Sequence, residues 1–404
     1  MGGRARPPKR LLVLGAGPAQ LGLLRSARDR GLYVVACDRD SSAPGFRYAD
    51  RRAVVSTEDE PGIDRLARAE RIDGIVAPGI DWPVAIAARI ADRLGLAHPM
   101  DPTTAAIAVS KLRQRECFAA AGVAQPRWQL LGRGEAAADI APPCVVKPPD
   151  RQGQRGLSFV EDVSELGTAI VRAAEASRLG TVLVEELADG PEVTVNAFST
   201  GGAFHPLTVT DRLLAAPPAF GVALAHAWPS TVADNAVVDA ARDAAAAVGV
   251  RNGPTYTQVR ITADGPKVME LAARLGGGHD AELCRVAIGI DLNDLALAAA
   301  LGEAADVPLS RRPVGGACVR FLVPPEGELD EATGLSEALA VDGVVDAAVY
   351  RGRGHVFGPF RTGADRAGYV IARGDSRDDA LERAVRAGER IRFVTVDAAA
   401  RIQT

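Results

Sequence analysis

Residues Pro266–Asp280 read PKVMELAARLGGGHD, and just upstream Gly253–Thr262 read GPTYTQVRIT. These are two adjacent apolar runs closed by Gln258 and Glu270, so a hairpin that pairs them aims an amide oxygen and a carboxylate at one point. Such a pair suits a hard cation, because Mg²⁺ needs few protein oxygens when phosphates and water complete its shell. Arg274, four residues past Glu270, adds a fixed positive charge beside the same place. An ordinary surface hairpin would carry the same residues, and this stretch alone does not separate the two readings.

At 404 residues and 47% hydrophobic content the chain can bury large cores, and it is expected to divide into about three domains. The formal charge of −4, with Arg and Asp scattered, offers no basic face for nucleic acid or an anionic membrane; small metabolites fit better. The cysteines at 37, 117, 144, 284 and 318 form no CxxC pair, which argues for reduced thiols in a cytoplasmic setting and against a structural zinc site. The start PPKRLLVLGAGPAQLGLL imitates a signal peptide, but glycines, a proline and a glutamine interrupt it and Arg25 and Arg28 continue an amphipathic helix. No apolar run approaches the roughly 18 residues of a membrane span.

From residue 9 to about 104, RLLVLGAG, LYVVACD, AVVST and GIVAPG alternate with helical stretches, which predicts a doubly wound parallel sheet. Gly15 and Gly17 follow its first strand, yet Gln20 and Gly22 break the GxGxxG pattern. Asp38 ends the second strand where an acid could hold an NAD ribose; alternatively the glycines only let helix and sheet approach closely. The segment 101–126 reads as one helix, closed by Gly122 and stopped by Pro126, with Lys111 near its start.

Further on, PPCVVKPPDRQGQRGLSFVED places Lys147 at a strand end, followed by a glycine-containing loop in which Gly153, Gly156 and Arg155 could gather around phosphate oxygens. It is not a Walker loop, because GxxxxGK[ST] is absent. TVLVEELADGPEVTVNAFS reads as two strands around a turn at Asp189–Gly190, with Glu185 and Glu186 before it and Glu192 after it. Carboxylates there could accept from an adenine amino group or a ribose diol, or simply face solvent. His205, Asp211 and Arg212 in HPLTVTDR could line a cleft or end a polar strand.

The order of these parts resembles the ATP-grasp superfamily over most of the chain. The resemblance implies that Lys147 and Lys111 contact ATP phosphates and that Asp150–Leu157, including Gln154, Arg155 and Gly156, is the flexible phosphate loop. By the same resemblance Glu185, Glu186 and Leu187 border the adenine, and Glu192 takes the ribose. Gln258 and Glu270 fall at the two Mg²⁺ (or Mn²⁺) ligand positions, and Arg274 at the arginine that steadies the phosphoryl group in flight. Arg274, Lys147 and Glu270 are thereby the implied catalytic residues. The first metal position is usually acidic, whereas Gln258 is neutral, as in carbamoyl-phosphate synthetases, and Ala272 stands where many members place an asparagine. The site should then hold metal weakly until ATP brings its own oxygens.

These residues imply an α/β architecture with a pre-ATP-grasp domain at 1–104, a nucleotide- and metal-binding domain at 105–308 and a C-terminal α+β region at 309–404 that resembles the tail of amino acid ligases. The implied activity is carboxylate–amine ligation through an acyl phosphate, releasing ADP and phosphate. Gly276, Gly277, Gly278 and His279 offer backbone N–H groups and an imidazole to a substrate carboxylate, with His226 and Arg212 as further substrate contacts. Small acids and amines are the expected partners, and a homodimer is left open. Three other readings remain: a purine-type enzyme using bicarbonate or formate, an ATP-binding protein without turnover, and an NAD-dependent oxidoreductase.

Overall fold

The computed structural model of the chain describes residues 7–135, 139–151, 154–308 and 310–396. Gly153 of the expected phosphate loop lies outside the described residues. Four parallel strands, Arg10–Leu14, Tyr33–Asp38, Arg51–Val54 and Gly74–Val76, form the first sheet in the order third, second, first, fourth. Leu11 and Val13 enter one core while Leu12 and Leu14 enter another, so the two-residue period of the strand buries both faces. Helices Glu60–Glu70 and Trp82–Leu94 cover one face. The other is covered by helix Leu21–Asp29 together with two helices from far along the chain, Asp280–Ile288 and Leu292–Ala300.

The amino-terminal glycines serve that packing. A Cβ on Gly22 would sit 1.2 Å from Glu282 Oε1, so the first helix can lie against Asp280–Ile288 only without a side chain there. The loop itself is filled by its own Gln20, which is buried and donates from Nε2 to the Pro78 carbonyl at 2.7 Å. Asp38 accepts from the Ala16 amide at 2.9 Å, closing the loop from the second strand.

The expected single helix over 101–126 is two helices, Pro102–Ala108 and Lys111–Ala121. Ser110 interrupts it by capping the second, accepting from the Arg113 amide at 3.4 Å. Next comes a lobe whose antiparallel sheet runs Trp128–Leu131, Val182–Glu186, Cys144–Lys147, Ser158–Val160, with helix Val163–Ala176 packed on it.

An eight-stranded antiparallel sheet occupies the centre, in the order Gly265–Ala272, Gly253–Thr262, Glu192–Thr200, Ala203–Leu214, Ala223–Trp228, Gly316–Leu322, Gly368–Gly374, Val344–Val349. The two strands flanking the Asp189–Gly190 turn therefore do not form a hairpin: Val182–Glu186 belongs to the lobe and Glu192–Thr200 to the central sheet. Three strands of the tail extend the same central sheet, so residue 308 marks no break in it. The rest of the tail adds helix Arg377–Gly388 and a small sheet of Val356–Phe357, Gly327–Thr333 and Arg392–Val396. No helix among the described residues is long and apolar enough to cross a membrane.

The passage between lobe and central sheet runs through Gly190, at φ 131°, where a Cβ would lie 2.1 Å from the Ile261 carbonyl oxygen. Gly190→Ala is expected to destabilise the protein by about 1–3 kcal/mol or more. Gly167→Ala, on an exposed helix position with nothing within 4 Å, should be neutral or stabilise by about 0.5–1 kcal/mol. Urea unfolding of both variants checks this, and equal midpoints would count against it.

Candidate functional site

The hairpin pairs Gln258 directly with Glu270 across its two strands. Both are partly buried, and the Gln258 amide donates to the Tyr256 hydroxyl at 3.4 Å. Lys111, at the first turn of its helix, crosses to the same place and donates from Nζ to Glu270 Oε1 at 2.8 Å and to the Arg151 carbonyl at 2.9 Å. Gln114, one turn on, stitches helix to hairpin, donating to the Leu271 carbonyl at 2.8 Å and accepting from its amide at 3.0 Å.

Beneath them lies a buried three-membered charge cluster. Glu185 receives Lys147 Nζ at 2.6 Å on one oxygen and Arg115 Nε at 2.7 Å on the other, with the Arg115 and Glu185 side chains only 2% and 1% exposed. Arg115 also donates to the Val268 and Met269 carbonyls at 2.9 and 2.7 Å, so it ties helix, lobe strand and hairpin strand together. Burial alone would raise the Glu185 pKa, but the two cations outweigh it and hold the carboxyl at about 2. Burial pulls the Lys147 pKa below its ordinary value, partly offset by Glu185. Glu270 is likewise held down against burial, by Lys111 first and then by Lys147 and Arg274. Lys111, Lys147, Glu270 and Arg274 thus share one electrostatic neighbourhood.

Arg274 is fixed there by Asp81 of the first domain, 2.6 Å from Nε, and its guanidinium lies 5.7 Å from the Tyr256 ring centroid. Glu186 is committed to Lys267 at 2.8 Å and Arg127 at 2.7 Å, which against burial keep it at about 2. The adjacent Leu187 amide donates to the Pro143 carbonyl at 3.3 Å. Both oxygens of Glu192 are taken, by Arg212 at 2.7 Å and Arg260 at 3.1 Å. Arg212 also donates to the Tyr256 hydroxyl. Asp211, on the opposite face of the strand as its two-residue period demands, is held instead by Ser230, Thr231 and Arg377.

Gly276–Gly278 is a crowded bend: a Cβ on Gly276 would lie 2.1 Å from Asp280 Oδ2, and one on Gly278 would lie 3.0 Å from the His226 ring. Asp280 accepts from the Gly278 amide at 3.1 Å and pairs with His226 Nδ1 at 3.0 Å. His226 and His279 are both buried; His279 Nε2 is hydrogen-bonded to the Tyr350 hydroxyl at 2.6 Å and its ring stacks 3.7 Å from that of Tyr369. In the loop expected to meet phosphates, Arg155 is exposed, Gln154 has φ 63° and Gly156 φ 72°. The lobe touches both neighbours: Phe159 stacks on Phe220 at 5.0 Å, and Arg178 pairs with Glu58 at 2.7 Å while lying 4.0 Å over the Trp82 ring.

Arg115, Asp81, Tyr256, Asp280 and Arg366 escape the sequence reading. Arg115 carried a signal, one helical turn after Lys111 on the same face, and Tyr256 another, two residues before Gln258 on the same strand face. Among the described residues no group of three or more His, Cys, Asp or Glu side chains could hold a metal, so Gln258 and Glu270 are the candidate pair. Their oxygen donors suit a hard cation once Lys111 is drawn off Glu270.

Two family models match: one described as ATP-grasp domain over residues 140–282 and one described as L-amino acid ligase C-terminal domain 2 over 320–396. The chain is 30% identical to the uncharacterized protein y4rH of Sinorhizobium fredii over 80% of this chain and 68% of that protein. It is 29% identical to the formate-dependent phosphoribosylglycinamide formyltransferase of Thioalkalivibrio sulfidiphilus, over 95% and 96% of the two chains. Among solved structures, the L-amino acid ligase from Bacillus licheniformis superposes with a TM-score of 0.81 at 20% identity, covering 97% of this chain and all (100%) of that one. Phosphoribosylglycinamide synthetase from Anaerococcus prevotii gives 0.77 at 18% identity, covering 96% and 100%.

Because Glu185 ionises at about 2 in the folded chain against an ordinary 4.5, its stabilisation is complete above the ordinary value and is lost as pH falls from there towards 2. Wild-type stability, followed by urea unfolding, should fall steeply between about pH 5 and 3. Glu185→Gln should be less stable at neutral pH but show a shallower acid slope; an equal slope would remove Glu185 from the account. Arg115→Ala, which leaves a buried pair incomplete, should cost about 3–5 kcal/mol.

Proposed function

The chain belongs to the ATP-grasp family of carboxylate–amine ligases, and on that premise we propose that it joins an amino acid or similar small acid to an amine at the expense of ATP. The observation that carries this reading is the gathering of Lys111, Lys147 and Arg274 around Glu270, three cations in one buried neighbourhood beside the Gln258–Glu270 pair.

Glu186 and Leu187 would border the adenine, and Glu192 the ribose, of an ATP held between the lobe sheet and the central sheet. Lys111 and Lys147 turn to the phosphates, and Arg274 steadies the terminal one. Transfer of that group depends mainly on positioning and on charge placed around its equatorial oxygens, which these side chains supply. A substrate carboxylate oxygen attacks the γ-phosphorus while the bond to ADP breaks, giving an acyl phosphate. The amine nitrogen then adds to the acyl carbon, phosphate leaves, and the proton shed by nitrogen passes to phosphate or water. A divalent cation, held by Gln258 and Glu270, would neutralise charge on the phosphate oxygens. The lobe contacts through Phe159 and Arg178 support exclusion of water from the acyl phosphate.

The ion pair between Lys111 and Glu270 orders the binding. An anionic nucleotide would draw Lys111 away and free a Glu270 oxygen that, with Gln258, would hold Mg²⁺ or Mn²⁺, so nucleotide and metal would bind together. Five cysteines without disulfides suit a cytoplasmic setting. A second reading, formate as the acid and a phosphorylated amine as its partner, is favoured by the end-to-end match to the formyltransferase.

A phosphate-release screen over pairs of acids and amines, with product masses measured, tests the assignment. ADP formation that needs both an acid and an amine supports it; ADP formation only with formate moves it to the second reading, and none with any pair overturns it. Glu270→Ala is expected to reduce ADP formation by about 10²–10³-fold or more while the protein stays folded. Gln258→Glu should keep or raise activity and lower the Mg²⁺ concentration at half-maximal rate.

A further inference from the structure

Arginine side chains taken out of water normally find a carboxylate, because an unpaired buried charge is costly. The site follows that rule at Arg115, Arg212 and Arg274, each within 2.7 Å of an acidic oxygen. Arg366 does not. It comes from the tail, just before strand Gly368–Gly374, and its guanidinium carbon lies 3.6 Å over the Phe321 ring. One nitrogen, Nη2, donates to the Ala223 carbonyl, whereas Nε is enclosed by protein with no hydrogen-bond partner. Among the described residues no carboxylate stands in ion-pair range of it. Burial accordingly lowers its pKa to about 10, with Tyr350 opposing the shift and Arg212 adding to it.

Its surroundings are a second cluster of side chains, distinct from the one around Glu270. Arg366 feels Tyr350, Arg212, Tyr256 and Asp280, whereas Glu270 feels Lys111, Lys147 and Arg274. Tyr256 lies between the two groups, bonded to Arg212 and facing Arg274. Phe321 sets the plane of the guanidinium and also packs edge-on to His226, 5.7 Å between ring centroids, next to the Gly278 bend. A guanidinium held flat on an aromatic face, with donor capacity that no protein acceptor uses at Nε, has the planar geometry that suits a carboxylate.

We propose that Arg366 holds the carboxylate that does not react, that of an α-amino acid serving as the amine. This rests on the ligase reading above. The reacting carboxylate has to meet the γ-phosphoryl group near Glu270, in the other cluster. Arg212 is already paired with Glu192, and Asp280 adds a negative charge to the surroundings of Arg366, so the cluster suits a monoanion carrying its own ammonium better than a phosphate dianion. Fixing the carboxylate fixes the α-nitrogen one carbon away, and the amine approaches the acyl phosphate in one orientation.

The experiment compares the full chain with Arg366→Ala and Arg366→Lys in ATP·Mg²⁺-dependent phosphate release. The amine probes are each proteinogenic amino acid, its α-carboxamide, and 2-aminoethyl phosphate. Wild type should use the amino acid at a KM at least about tenfold below that of the carboxamide, the ratio a charge-assisted hydrogen bond supports. Arg366→Ala should raise the amino acid KM by about 10–100-fold, leave the KM for ATP unchanged and abolish the preference; Arg366→Lys should restore part of it. An equal loss with amino acid and carboxamide, or a wild-type preference for 2-aminoethyl phosphate, overturns the proposal. Calorimetric titration of the same amino acids into wild type and Arg366→Ala needs no turnover. If no pair releases phosphate, the ligase reading fails by itself, and weaker amino acid binding by Arg366→Ala still supports the carboxylate site while equal binding overturns it.

Discussion

The contact on which the rest of the site depends is the buried carboxylate of Glu185, clamped between Arg115 and Lys147. Each partner belongs to a different part of the molecule. Glu185 and Lys147 end neighbouring strands of the lobe, and Arg115 sits on the helix whose first residue is Lys111. Arg115 also holds two carbonyls of the hairpin strand that carries Glu270. Such a cluster contributes little net stability compared with an apolar packing of equal volume, because desolvating three charges offsets their attraction. What it supplies is register: lobe, helix and hairpin have one relative position in which all three charges are satisfied.

A similar economy of charge runs through the phosphate region. Every cation that the ligase reading assigns to ATP already has a protein acid beside it: Lys111 with Glu270, Lys147 with Glu185, Arg274 with Asp81. The free protein is thereby kept from holding a cluster of bare positive charges at low dielectric. On that reading an arriving triphosphate would exchange partners rather than create them, and Glu270, released by Lys111, would offer an oxygen to a metal.

How much was legible in the sequence follows from how local each contact is. Gln258 and Glu270 face each other across a single hairpin, so alternation and spacing were enough. Lys147 carries a strand-end signal, whereas Lys111, inside the segment read as one helix, is singled out only by the family resemblance. The Arg274–Asp81 bond spans 193 positions and joins two domains, and nothing near either residue announces the other. The Glu185–Glu192 turn was read as a hairpin because strand signals report extended backbone without naming the partner strand. The 101–126 segment was read as one helix because its apolar content continues through Ser110, whose capping bond decides the break. Arg366 was invisible for a further reason: its significance lies in lacking a carboxylate, which only the packed structure reveals.

The strand order of the central sheet has a bearing on how the molecule is made. Gly368–Gly374 lies inside that sheet, between Gly316–Leu322 and Val344–Val349, and residue 366 stands at its threshold. During synthesis on the ribosome, the parallel sheet and the lobe can close around their own strands as they emerge. The surroundings proposed above to take the amino acid cannot form until residue 374 has left the exit tunnel. Nascent chains would then carry a phosphate-binding half before they carry a partner-binding half, an order that delays ligation until the last interior strand has docked.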